Sequence, residues 1–345
     1  MTLPSESVDI ETWRRLYAAA EHVHKLAPWT WMRETDVFGI QFPGNGEFGY
    51  VSVMGANGVH YAVTVYLGHD TLHTFGDIQS RPMGSGVPED VLELPQIMAS
   101  FEDRDMLEKE DRDVIKTLGL RYRGRNNWPM FRSYRPGFYP WFLDRNEAEN
   151  LAVALEQTLC MAMRLEDAPK LLDTDSPQII FVRERRGSEW VDSTLTLPPP
   201  EPVSLTFKVE RSQIAALKAL PRDTRAAEVD FFIAPTGVTE PGKRPTLVYL
   251  LMAVEPKSYF ILGSEPMQAT DGLARMWEEI PARLVSLLVQ ARFFPAEIRV
   301  ASPKLHQMLA SILQELGIAL KVSPTLPGME DAKREMWKYL TGKTR

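Results

Sequence analysis

A single cysteine, Cys160, in a chain of 345 residues leaves no internal disulfide and no cysteine-based metal cluster. It falls within the apolar helical stretch LAVALEQTLCMAMRL, where a buried, inert thiol is expected. No run approaches the ~18 consecutive apolar residues of a membrane-spanning helix. The opening MTLPSESVDIETW is polar and acidic, without the apolar centre of a secretion signal. Both absences point to a soluble cytoplasmic protein with no membrane partner. Also missing are a GxSxG nucleophile elbow, a phosphate-binding P-loop and an HExxH pair. The net charge of −7 argues against a chain-wide nucleic-acid coat, while a local basic patch is compatible with it.

What the chain has instead is GLRYRGRNNWPMFRSYRPGFYPWFL, Gly119 to Leu143. Five arginines (Arg121, Arg123, Arg125, Arg132, Arg135) interleave with eight aromatics, and no acid interrupts them before Asp144. Guanidinium forks match phosphate and carboxylate geometry, and Trp and Tyr faces stack on bases. The candidate ligand-binding set is therefore Arg121, Arg123, Arg125, Asn126, Asn127, Trp128, Arg132, Tyr134 and Arg135. The competing reading makes the aromatics a small core and turns the arginines inward, onto rings or the acids just before them. Arg121-Tyr122-Arg123 alternates like a strand, and Pro129, Pro136 and Pro140 exclude a continuous helix and predict a folded-back loop.

Around this stretch the periodicities predict an α+β protein of two domains. Asp9 or Ser7 caps a first helix through Trp13, Leu16, Tyr17, Ala20 and Val23, ended by Pro28. A three-stranded antiparallel meander follows, with Ala56-Asn57-Gly58 as one hairpin turn. Gly44-Asn45-Gly46-Glu47-Phe48-Gly49 matches GxGxxG, but a strand follows where dinucleotide binding needs a helix, so it reads as a turn. Thr71 to Pro95 reads as a connecting loop. His69 and His73 flank it without further metal ligands, so no metal is expected. QIMASFE reads as a short helix or strand, and a charged helix spans about Lys109 to Leu118. Asp144 and Glu147 cap a long helix, which a hairpin turning at Arg186-Gly187 follows. Pro198 to Pro202 is a stiff linker between a domain of 1–197 and one of 203–345.

The second domain reads as a strand SLTFKV, a helix, three antiparallel strands, and then alternating helices and strands. From about Glu228 onward, RPTLVYLLMAVEPKSYFILG followed by PAEIRVAS resembles the ribonuclease H-like core of integrases and DDE transposases. That resemblance implies a βββαβαβα mixed sheet and an acid set holding two metal ions. Asp230 falls at the first acid position, Ala301-Ser302 stands where the second acid belongs, and Glu330, Asp331 or Glu335 is available as the third. The gap implies a scaffold without the full catalytic set. Over nearly its whole length the chain also resembles a bacterial protein family that pairs two domains of unknown function. DVFGIQFP, GYVSVMG, ASFEDRDMLEKED, the arginine–aromatic stretch, VDFFIAP and YFILGS carry that likeness.

Three functions are compatible with these residues: a non-catalytic binding or regulatory protein for an anionic ligand such as nucleic acid; a metal-dependent nuclease or phosphoryl-transfer enzyme using Asp230; and a protein-interaction module. The first is preferred, with no cofactor expected. The oligomeric state is not legible.

Overall fold

The computed structural model describes residues 8–44, 46–80, 92–202 and 204–341. Ser7, Asn45 and the 81–91 part of the expected connecting loop lie outside the described residues. The chain divides into two compact units, Met1–Arg135 with Pro140–Glu201, and Pro136–Tyr139 with Pro202–Arg345.

The first unit begins with α1 (Ile10–Leu26), whose start is fixed by the Asp9 carboxylate accepting from the Thr12 N–H at 2.8 Å. Its buried face carries the expected Trp13, Leu16, Tyr17, Ala20 and Val23, and Ala27 closes it in the left-handed conformation ahead of Pro28. Seven strands follow: β1 (Phe38–Gln41), β2 (Phe48–Met54), β3 (Ala62–Leu67), β4 (Gln96–Glu102), β5 (Trp128–Tyr134), β6 (Ile179–Arg186) and β7 (Glu189–Thr196). Their order is β5-β4-β3-β2-β1-β6-β7, antiparallel throughout except where β6 joins β1 in parallel. The predicted three-stranded meander is thus the centre of a wider mixed sheet.

Strand alternation gives this sheet two buried faces. Phe38, Ile40, Val51, Val53, Val63, Val65 and Ile97 pack with α1 and the long helix Arg145–Asp167. Tyr50 and Tyr66 point the other way, into a smaller cluster with Leu72, Phe75 and Leu197.

Leu72 and Phe75 correct the expected loop: His69–Ser80 forms a helix, α2, whose Thr71, Leu72 and Phe75 are buried. The Gly and Pro content that suggested a loop belongs mostly to the residues after it. His69 and His73 sit on this helix rather than at a strand end. The His69 Nδ1 lies 2.5 Å from the Tyr50 hydroxyl and the His73 Nε2 lies 2.8 Å from the Pro198 carbonyl. A charged α3 (Lys109–Thr117) leads to β5, and the long helix, α4 (Arg145–Asp167), starts at the expected Asp144–Glu147 capping box.

The second unit contains α5 (Arg211–Lys218), β8 (Ala226–Val238), β9 (Thr246–Glu255), β10 (Phe260–Met267), α6 (Leu273–Gln290), β11 (Glu297–Val300), α7 (Pro303–Leu316), β12 (Ala319–Val322) and α8 (Pro327–Thr341). The sheet order is β10-β9-β8-β11-β12, with β8, β9 and β10 antiparallel and β8, β11 and β12 parallel. α6 and α7 pack on one face, while Leu326, Met329 and Ala332 cover Leu250, Met252 and Val254 on the other. SLTFKV is not a strand. Leu205, Phe207 and Val209 pack on the core, and the Thr206 N–H donates to the Glu278 carboxylate at 2.9 Å rather than to a neighbouring strand. Among the described residues, no helix is long and apolar enough to cross a membrane.

Gly49, in β2 rather than in a turn, marks how closely the first sheet is filled. A Cβ there would lie 2.6 Å from Phe42 Cζ and 2.7 Å from Val65 Cγ1. Gly49→Ala is expected to cost about 1–3 kcal/mol through overpacking, read as a lower urea midpoint at an unchanged slope.

A candidate anion-binding turn

The arginine–aromatic stretch splits into two electrostatic classes. Arg132 lies in β5, at the edge of the first sheet, and its side chain is 7% exposed. A buried guanidinium needs a counter-charge and hydrogen-bond acceptors. Asp111 on α3 supplies both, with Arg132 Nη1 to Oδ1 at 2.9 Å and Nη2 to Oδ2 at 2.7 Å, and the Phe131 carbonyl accepts a third bond at 2.7 Å. The Phe142 ring lies 4.9 Å beneath the guanidinium carbon. Asp111 also accepts from the Glu108 N–H at 2.9 Å, so one carboxylate neutralises the strand and starts the helix. The attraction outweighs burial and holds the Arg132 pKa above its ordinary value.

Arg135 is also engaged from within. Its guanidinium donates to Glu147 at 2.8 Å and to Asp144 at 3.1 Å, the two members of the α4 capping box. Burial would raise the pKa of Glu147, but bonds from Ser133, Arg135 and the Asp144 N–H hold it below the ordinary carboxylate range. Tyr134 is half-buried, and its hydroxyl reaches Met98 Sδ at 3.8 Å. The chain then folds back as expected: Ser133 and Trp141 exchange backbone bonds at 2.7 and 2.9 Å. Pro129 is tolerated in β5 because that strand is an edge.

Arg121, Arg123 and Arg125 form the second class. They do not lie on a strand. Tyr122 is drawn inward, stacked on Tyr17 at 6.4 Å and donating to Glu21 at 2.6 Å, which leaves its arginine neighbours exposed. The turn is anchored through Asn126, in the left-handed region at φ 53°. Its N–H donates to Asp103 at 2.9 Å, and its carbonyl meets the His24 Nε2 at 2.9 Å. Arg125 lies 3.4 Å from Asp103 yet is 89% exposed, and Arg121 and Arg123 make no ion pair among the described residues. Trp128 adjoins this turn, edge-on to Tyr122 at 5.8 Å, with the Arg104 guanidinium 5.8 Å from its own ring. The side chain of Asn127 packs over Gly124, where a Cβ would come within 2.9 Å of its amide nitrogen. The structure therefore groups Arg121, Arg123, Arg125, Asn126, Asn127 and Trp128 around one turn, and brings in Arg104, which sequence spacing does not single out. Arg132 is buried, Tyr134 is half-buried, and Arg135, though exposed, is tied to Glu147 and Asp144.

In the second unit, Asp230 projects from β8 beside Lys333 of α8 at 2.5 Å, and its other oxygen accepts from the Phe231 N–H. Asp331 pairs with Arg334, and Glu335 with Lys338 at 2.7 Å; Glu330 is exposed. Ser302, at the expected place of a second acid, accepts from the Leu305 N–H as the cap of α7. Two residues before Asp230, Glu228 is 1% exposed and accepts from the Met329 N–H at 2.9 Å. Sequence inspection missed Glu228, Lys333 and Asp111, because each acquires its role from a residue far away in the chain.

Comparison with known families gives two matches. Residues 13–183 match a family described as Domain of unknown function (DUF7309), and residues 213–337 match another, Domain of unknown function (DUF6930). The chain thus pairs two such domains. No curated protein matches it.

Two outcomes test these buried charges. Arg132→Ala strands Asp111 in the interior and is expected to cost about 3–5 kcal/mol, whereas Arg132→Met combined with Asp111→Leu recovers most of that loss; chemical denaturation of the three proteins reads the difference. Burial raises the Glu228 pKa, so between its unfolded and folded values the native state binds more protons than the unfolded one. Stability of the second unit therefore falls as pH rises through that window. Glu228→Gln, which keeps an acceptor for Met329, is expected to flatten that fall, seen as amide exchange of β8 and α8 followed against pH.

Proposed function

We propose that the first unit is a non-catalytic binding module for an anionic ligand, with single-stranded nucleic acid as the ligand class, and that the turn Arg121–Asn127 is its contact surface. One observation supports this above the others. Three guanidiniums stand exposed on a turn whose backbone is tied down by Asp103 and His24, and two of them, Arg121 and Arg123, have no internal ion pair among the described residues. Cations held ready without an internal counter-charge are suited to phosphate oxygens. The neighbouring half-buried Trp128 offers an aromatic surface on which a base can stack.

The second unit, in this reading, is a ribonuclease H-like scaffold serving as a docking platform. Its strand order and parallel–antiparallel pattern support the scaffold. The pairing of Asp230 with Lys333, together with the capping role of Ser302, favours binding over two-metal chemistry. A protein-interaction role draws on a different feature: Tyr259, Phe260 and Ile261 are exposed at the β9–β10 hairpin, beside the edge of the second sheet. A bacterial, cytoplasmic setting belongs to the same proposal.

Fluorescence polarisation with short labelled single-stranded DNA and RNA across a salt series tests the reading. Binding should weaken with salt, and Arg121→Ala/Arg123→Ala should reduce the log–log salt slope by roughly 1.4, about 0.7 for each phosphate left without its arginine. Binding absent from the folded wild type, or unchanged in the double variant, would overturn it.

A further inference from the structure

A concave surface of the first unit, away from the arginine-rich turn in sequence, has an unusual lining. It is a groove of about 480 Å³ lined by Trp29, Trp31, Tyr61 and Arg33 and by the β2–β3 turn residues Gly55 and Gly58. That volume suits a small organic ligand. Its aromatic walls are fixed. Trp31 donates its indole N–H to the Ala162 carbonyl at 3.0 Å. Trp29 is packed on Tyr61 at 5.0 Å and on Phe101 at 5.6 Å. Gly55, at φ 134°, lets the Tyr61 ring lie against the turn: a Cβ there would come within 2.7 Å of that ring and 3.0 Å of Trp29.

No acidic side chain lines the groove, and Arg33 is its one charged lining group among the described residues. The backbone N–H of Arg33 is held by Asp36 at 2.7 Å, while its exposed guanidinium makes no ion pair among the described residues. A cavity of similar size in the second unit differs in this respect. Its Arg275 and Arg283 are answered by Glu278 at 3.2 Å and Glu279 at 3.0 Å. The groove by Trp31 therefore selects for negative charge where that one neutralises itself.

We propose that this groove binds a planar aromatic anion of about mononucleotide size, its ring against the Trp31 and Tyr61 faces and its anionic group on Arg33. Stacking and a charge-assisted hydrogen bond each contribute too little alone for useful affinity at one open surface; a ligand carrying both groups combines them. The groove shares no lining residue with the turn Arg121–Asn127.

Isothermal titration of the full chain with AMP and with 1-naphthoate distinguishes a nucleotide from an aromatic carboxylate; adenosine and inorganic phosphate supply the ring and the anion separately. At least one planar anion should saturate the protein at one equivalent, with adenosine and phosphate each weaker by about tenfold or more, about 1.4 kcal/mol. Arg33→Ala, at an exposed position, and Trp31→Leu should each reproduce a loss of that order, while Arg121→Ala/Arg123→Ala leaves this affinity unchanged. Circular dichroism melts of each variant establish that it is folded. No saturation by either planar anion at millimolar concentration, binding indifferent to Arg33→Ala, or equal binding of phosphate alone would overturn the proposal. Loss of binding in the Arg121→Ala/Arg123→Ala protein instead would overturn it too, by assigning the ligand to the other turn.

Discussion

A guanidinium at the edge of a sheet, over an aromatic ring and out of reach of water, has to be neutralised from the neighbouring element. For Arg132 that element is α3, and the arrangement of the sheet edge follows from the need. Asp111 is the third residue of its helix and also satisfies the Glu108 N–H, so charge pairing and helix initiation place the same carboxylate. A helix that must present its first turn to β5 has little freedom in where it starts. The return of the chain at Trp141, bonded to Ser133 next to Arg132, brings Phe142 beneath the guanidinium and delivers Asp144 and Glu147 to Arg135. Two arginines thus set the starts of two helices against one strand.

The second unit solves the same problem with the signs reversed. Glu228 and Asp230 lie two residues apart on β8 and so share a face of the sheet. α8 covers that face with an N–H from its first turn for Glu228 and with Lys333 for Asp230. Lys333 also lies 4.1 Å from the Phe232 ring, the next residue on that face. Acids in this position suit metal binding only when their lone pairs are free. Here the cationic partner comes from the protein itself, and a metal ion would have to displace a lysine ammonium to reach Asp230.

Much of the layout was legible because it is local. The apolar spacing and cap of α1, the Asp144–Glu147 box and the turn at Gly58 each depend on residues within a few positions of one another, and each was read correctly. The misreadings arose where a distant partner decides. SLTFKV alternates as a strand does, but its alternation serves packing on the second core while Glu278 takes one of its N–H groups. Arg121-Tyr122-Arg123 keeps the in–out alternation of a strand, with Tyr122 inward on Tyr17 and Glu21, but it pairs with no strand among the described residues. Nor could the sequence sort the five arginines: all stand among the same aromatics, and only the positions of Asp111, Asp144 and Glu147 give Arg132 and Arg135 the hydrogen-bonded partners that Arg121 and Arg123 lack among the described residues.

The exposed arginines act within a chain of net charge −7, which bears on what they can hold. Beyond the Debye length of about 8 Å at physiological ionic strength, a polyanion senses little of any single surface charge. A long duplex would face the field of a net acidic chain, whereas a short strand or a strand end would meet the turn alone. In the proposed reading, recognition comes from close contact: guanidinium on phosphate, ring on base. Contacts of that kind would favour small or locally single-stranded ligands, and would place affinity in the rigidity of the turn rather than in the overall field. Asn126, held at both its N–H and its carbonyl, supplies that rigidity.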